Sequence, residues 1–96
     1  MAKFVIDFNK RNSKLWLDDE RYNELVIRNC IGMYDETLKI DGIVLLKDVL
    51  KSLGFDIKKI DVNTLIRYWT DVEHGVDITY IKKGNCVYTL VFDTDN

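Results

Sequence analysis

The feature that most restricts this chain is a pair of alternating runs near its C-terminal end, separated by Lys83-Gly84-Asn85. Val76, Ile78 and Tyr80 form one set at a period of two, and Cys86, Tyr88, Leu90 and Phe92 form another. That period sends successive side chains to opposite faces, so both runs read as strands with one buried face. The sets share that face if Lys83-Gly84-Asn85 is a three-residue loop, pairing Tyr80 with Tyr88 and Ile78 with Leu90. Asn85 suits the left-handed position that closes such a loop. A two-residue loop would set Tyr80 against Thr89 and mix the faces. The opposite face carries Asp77, Thr79, Ile81, Val87, Thr89 and Val91. Three branched aliphatics are more than a solvated face requires. Ile81, Val87 and Val91 are therefore candidate contacts for a protein partner or for self-association.

Upstream, Phe4, Ile6 and Phe8 alternate with Val5 and Asp7, which predicts a strand over Lys3 to Phe8. Asn9 to Ser13 is a polar turn, after which Lys14 to Leu17 can return as a short strand. Asp18 offers a helix N-cap, Leu17 and Tyr22 are placed to staple it, and Asp19 and Glu20 suit the first turn. Tyr22, Leu25, Val26, Asn29 and Met33 follow helical spacing towards an end near Gly32. Asp41-Gly42, between Thr37–Ile40 and Ile43–Leu46, reads as a type I′ hairpin turn. A competing reading makes Asp41 an N-cap and runs a helix from Gly42 to Leu53. Both share a helix in which Leu46, Val49, Leu50 and Leu53 face inward and Gly54 closes the end. Asp61 is a second N-cap, with Val62, Leu65, Ile66 and Trp69 spaced as a helix over residues 62–69. The expected fold class is α+β, one small domain over residues 1–96. Short antiparallel strands or hairpins pack against two or three helices, and residues 93–96 form a polar tail.

Composition weighs against several classes of function without excluding them. The chain has 96 residues and a net charge of −2, with 47% hydrophobic and 31% charged residues, an ordinary globular balance. A chain of that length supports one self-sufficient core. Residues 1–48 carry nine acids and eight bases, and residues 49–96 carry seven and six. A DNA mimic would be far more acidic and an avid nucleic-acid binder more basic. Cys30 and Cys86 are isolated and read as reduced thiols. MAKFVIDFNKRN contains no apolar run of signal-peptide length, and no segment approaches a membrane span, so a cytoplasmic chain without a membrane partner is expected. There is no proline, so turns rest on Gly, Asn, Asp and Ser.

Three stretches carry a resemblance: G-I-V-L-L-K-D-V-L-K-S-L-G-F at Gly42 to Phe55, Y-W-T at Tyr68 to Thr70, and G-V-D-I-T-Y at Gly75 to Tyr80. Together, over about half the chain, they resemble uncharacterised small proteins of phages and mobile elements of Gram-positive bacteria. The resemblance implies a short strand running into a helix that ends in Leu-Gly. It also implies a strand at the Trp segment, a phage-like context with the host cytoplasm as its compartment, and no catalytic motif.

No catalytic constellation stands out, and no cofactor, metal or small-molecule substrate is expected. His74 is the one histidine, and neither Ser13, Ser52, Cys30 nor Cys86 lies in a nucleophile-elbow context. Asp71-Val72-Glu73-His74 matches no ligand spacing and reads as a solvated loop. The expected function is a non-enzymatic protein-interaction module, an inhibitor or adaptor. The alternative is a winged helix-turn-helix whose second helix offers Asn63, Thr64 and Arg67 to bases, with Lys58, Lys59, Lys82 and Lys83 on phosphates. Residues 51–85 hold six bases against five acids, a faint footprint for such a domain.

Overall fold

The alternating Phe4, Ile6 and Phe8 form strand β1 (Ala2–Phe8), which opens the computed structural model, and residues 2–96 are described. Helix α1 (Glu20–Asp41), strand β2 (Val44–Leu45), helix α2 (Leu46–Ser52) and a 3₁₀ turn (Ile57–Lys59) follow. One-turn helix α3 (Val62–Leu65), strand β3 (Tyr68–Trp69) and the hairpin strands β4 (Ile78–Gly84) and β5 (Val87–Thr94) complete the chain. The fold is α+β with two antiparallel sheets, β1-β5-β4 and β2-β3. The core gathers Phe8 and the inner residues Tyr88, Leu90 and Phe92 of β5. Ile27, Cys30 and Leu38 of α1, Leu46, Val49 and Leu50 of α2, and Trp69 pack with them, alongside Val44, Leu53, Phe55, Val76 and Ile78.

The terminal hairpin keeps its expected faces but not its register. Val76, Ile78, Tyr88, Leu90 and Phe92 are buried, yet Tyr80 pairs with Leu90 and Ile78 with Phe92, two residues from the expected pairing. A two-residue slip preserves the faces, so periodicity cannot see it. A bulge between Lys82 and Gly84 accompanies a turn at Asn85-Cys86. Cys86, not Asn85, takes the left-handed conformation at φ 60°. The expected tail is also a working part: β5 continues through Thr94, which is fully buried.

Helix α1 differs most from expectation. Asp19, one residue later than expected, is its N-cap, accepting from the Tyr22 amide at 3.1 Å. The helix passes Gly32 and runs to Asp41, ending where Gly42 at φ 77° returns its N–H to the Leu38 carbonyl at 2.8 Å. Asp41-Gly42 is thus a helix terminator, neither a hairpin turn nor a helix start. The buried stripe is Asn23, Ile27, Cys30 and Leu38, whereas Leu25 and Met33 are exposed. Burying Leu38 on this stripe holds the β-prone stretch Thr37–Ile40 in the helix, since packing outweighs weak intrinsic preference.

Two further expectations fail for tertiary reasons. Residues 62–69 form one helical turn and then β3, which pairs Val44 with Trp69 and Leu45 with Tyr68. The strand buries Trp69 completely and aims its indole N–H at the Asp93 carbonyl, 2.9 Å away, a partner no helix position offered. Lys14–Leu17 is not a strand; only Ser13 bridges, to Phe55. The Ser13 hydroxyl donates to the Leu53 carbonyl at 2.6 Å and Lys14 N–H to the Gly54 carbonyl at 3.2 Å. Gly54, at φ 83°, has room only for hydrogen: a Cβ there would lie 2.7 Å from Ser13 Oγ and 2.8 Å from Leu15 Cγ.

Candidate functional site

The outer face of the three-stranded sheet is built by alternation of the residues that do not enter the core. Val5 lies opposite Val91, which lies opposite Thr79; the next row is Asp7, Thr89 and Ile81. Val5, Val91 and Ile81 thus form a stepped apolar stripe across all three strands, with Val87 one row further along β5. Ile81 is 67% exposed and Val5 56%, while Val87 and Val91 are half-buried by their neighbours. Val5, which completes the stripe, was hidden in the sequence because only the pairing of β1 with β5 brings it to Val91.

A polar group crosses the same face. Lys83 Nζ on β4 reaches Asp7 Oδ2 on β1 at 2.8 Å, spanning the central strand, and Thr89 Oγ1 donates to Asp7 Oδ1 at 2.8 Å. The Lys83 ammonium bond, and then the Thr89 hydroxyl, hold the Asp7 carboxyl below its usual range. Lys82 forms an ion pair with Glu20. Both lysines at the hairpin tip therefore already have acidic partners within the molecule.

The residues of the winged-helix alternative do not assemble into that motif. The intended recognition helix is a single turn, too short to cross a groove. Thr64 is buried, Asn63 is exposed, and Arg67 turns back to donate to the Lys3 carbonyl at 3.4 Å. The intended wing is part of the main sheet, not an appended hairpin.

Lys58 and Lys59 nevertheless belong to a basic cleft. The turn after β1 is fixed from within, with the Asn12 and Ser13 amides on the Asn9 carbonyl and Asn12 Nδ2 on the Asp7 carbonyl. The Ser13–Leu53 and Lys14–Gly54 bonds clamp this turn onto the end of α2. Between them lies a cleft of about 510 Å³ lined by Lys10, Arg11, Lys14, Lys51 and Lys58, with Asp56 the one acid. Asp56 is engaged as the cap of the 3₁₀ turn, accepting from Lys58 N–H at 3.0 Å. A second hollow of about 250 Å³ shares Arg11, Asn12, Phe55 and Asp56 and adds Lys59. Three separate segments supply these bases, so no local run in the sequence announces them.

Nucleophiles and metal-ligand types are placed without activation. Burial pushes the Cys30 thiol up to about 12. Desolvation, then the charge of Asp18, also raises the Cys86 thiol. Neither is a ready thiolate. His74 Nδ1 lies 2.7 Å from Asp71 Oδ2 within one exposed turn, and the His74 amide and ring lower the Asp71 carboxyl. Among the described residues, no group of three or more His, Cys, Asp or Glu side chains could hold a metal ion. No helix among them is long and apolar enough to cross a membrane. Comparison with protein-family models, with curated proteins and with solved structures finds no match to this chain in any of the three, so its function is read from the sheet face and the cleft.

Proposed function

We propose that this chain is a non-enzymatic protein-interaction module that docks through the outer face of its three-stranded sheet. One observation carries the reading: Val5, Val91 and Ile81 form a stepped stripe that no element among the described residues covers, with its two ends exposed. The resemblance to small phage and mobile-element proteins, with a cytoplasmic setting, fits a module of this kind. The Lys83–Asp7 pair is closed within the molecule, so a second copy laid on this face meets no unmatched charge from either residue. Asp7 stands on one outer strand and Lys83 on the other. A two-fold axis along β5 lays each β1 over the partner's β4 and sets the two apolar stripes face to face.

The size of the face sets the expected strength. Three strands of seven or eight residues make a rectangle of about 25 by 14 Å, or about 350 Å². That is about half of what one partner contributes to a standard interface, so dissociation in the range of about 0.1–1 mM is expected. Sedimentation velocity across that range should show a reversible dimer. Val5→Asp with Ile81→Asp should hold the chain monomeric and folded, at a cost of about 1–2 kcal/mol for two aspartates in strands, because both side chains are exposed. A parent chain that stays monomeric throughout, or a double variant that associates as the parent does, defeats the reading.

A further inference from the structure

We infer that the basic cleft between the turn after β1 and the end of α2 binds the phosphate backbone of nucleic acid without reading its bases. The charge distribution is the first ground. The chain carries a net charge of −2, yet the cleft sets five bases against one acid, and that acid is committed to a cap. Among the described residues, Lys10, Arg11, Lys14, Lys51 and Lys58 form no ion pair. Like charges gathered without counter-charges repel one another, and a bound polyanion relieves that repulsion.

Shape and stiffness point the same way. The 510 Å³ cleft and the 250 Å³ hollow share Arg11, Asn12, Phe55 and Asp56 as walls, and the hollow adds Lys59, so the bases line more space than one phosphate fills. Its walls are held by the Ser13–Leu53 and Lys14–Gly54 bonds, so the bases are carried on a clamped backbone. The one aromatic ring in the lining, Phe55, is buried edge-on against Phe8 with centroids 6.1 Å apart. Phe55 therefore offers no open face on which a base could stack, and recognition falls to the phosphates.

The test uses fluorescence anisotropy with labelled oligo(dT) and oligo(dA) of about 20 nucleotides, the corresponding duplex, and poly-glutamate of equal charge. Both single strands should bind within about twofold of each other, and log K should fall with log salt at a slope near −3 to −4 for about five phosphates. Lys10→Gln, Lys14→Gln and Lys51→Gln together should weaken binding at least tenfold at low salt and flatten the slope by about 2. All three side chains are exposed, so thermal melting should be unchanged, and Lys39→Gln should bind as the parent does. Tighter binding of duplex than of single strands would identify the duplex backbone as the source of the phosphates. The inference is overturned by any of three results: no nucleic-acid binding at low salt, poly-glutamate binding as tightly as oligo(dT), or equal losses from Lys39→Gln and the triple variant.

Discussion

Asn23 shows how one side chain can organise the junction between helix and sheet. It sits fully buried on the inner stripe of α1, where its Oδ1 accepts from Leu17 N–H at 3.0 Å. Its Nδ2 donates to the Leu17 carbonyl at 2.7 Å and to the Cys86 carbonyl at 2.9 Å. The Cys86 carbonyl also accepts the Trp16 indole N–H at 2.8 Å, so the segment before α1 and the hairpin turn are tied at one point. Asn23→Leu keeps the volume but strips three bonds from a buried site. It should cost about 2–4 kcal/mol in urea unfolding, whereas exposed Asn29→Leu should stay within about 0.5 kcal/mol. Equal costs would mean that the Asn23 bonds contribute nothing net. In the sequence the spacing pointed to Asn29 as a stripe member and passed over Asn23. Apolar periodicity cannot rank two polar residues, and the partners that decide between them lie six and sixty-three positions away.

At the level of elements, faces were readable and pairings were not. The α2 stripe of Leu46, Val49, Leu50 and Leu53, closed by Gly54, stands as its spacing implies. The faces of β4 and β5 do too, because alternation records which side of a strand is buried. Register, helix length and the identity of short strands depend on distant contacts: Leu38 in the core lengthens α1, and the Asp93 carbonyl turns Trp69 into a strand residue. The basic cleft was illegible for the same reason, since Lys10, Lys51 and Lys58 meet only after folding. Neighbouring residues on β5 test the faces. Leu90 is fully buried, and Leu90→Ala should cost about 2–5 kcal/mol. Thr89 lies on the outer face and loses one hydrogen bond to Asp7, so Thr89→Ala should cost about 0.5–1.5 kcal/mol. Chemical denaturation of both variants decides the matter, and a larger loss at Thr89 would reverse the faces.

On the scale of the whole molecule, the end of the chain joins the two sheets. After β5 leaves the main sheet, the Asp95 N–H donates to the Tyr68 carbonyl at 3.1 Å, and Asn96 Oδ1 accepts from the Tyr68 amide at 3.0 Å. Asp95 Oδ2 accepts from the Asp71 amide at 2.9 Å and also takes the Thr70 amide. With the Trp69 indole on the Asp93 carbonyl, these bonds fasten the β2-β3 sheet, and α2 behind it, to the sheet that carries the docking stripe. Asp95 is exposed, so water can replace it at the freed amides. Asp95→Ala should therefore cost only about 1–2 kcal/mol in global stability. Its larger effect should be local, because an edge that loses its tie opens without unfolding the core. Native-state hydrogen exchange should accelerate at the Thr70 and Asp71 amides by about tenfold or more, while the β1–β5 ladder keeps its parent protection. Unchanged exchange at Thr70 and Asp71 would show that the Trp69 and Tyr68 bonds hold the sheets together without the Asp95 carboxylate. Acceleration along β1 as well would show that the two sheets open as one unit.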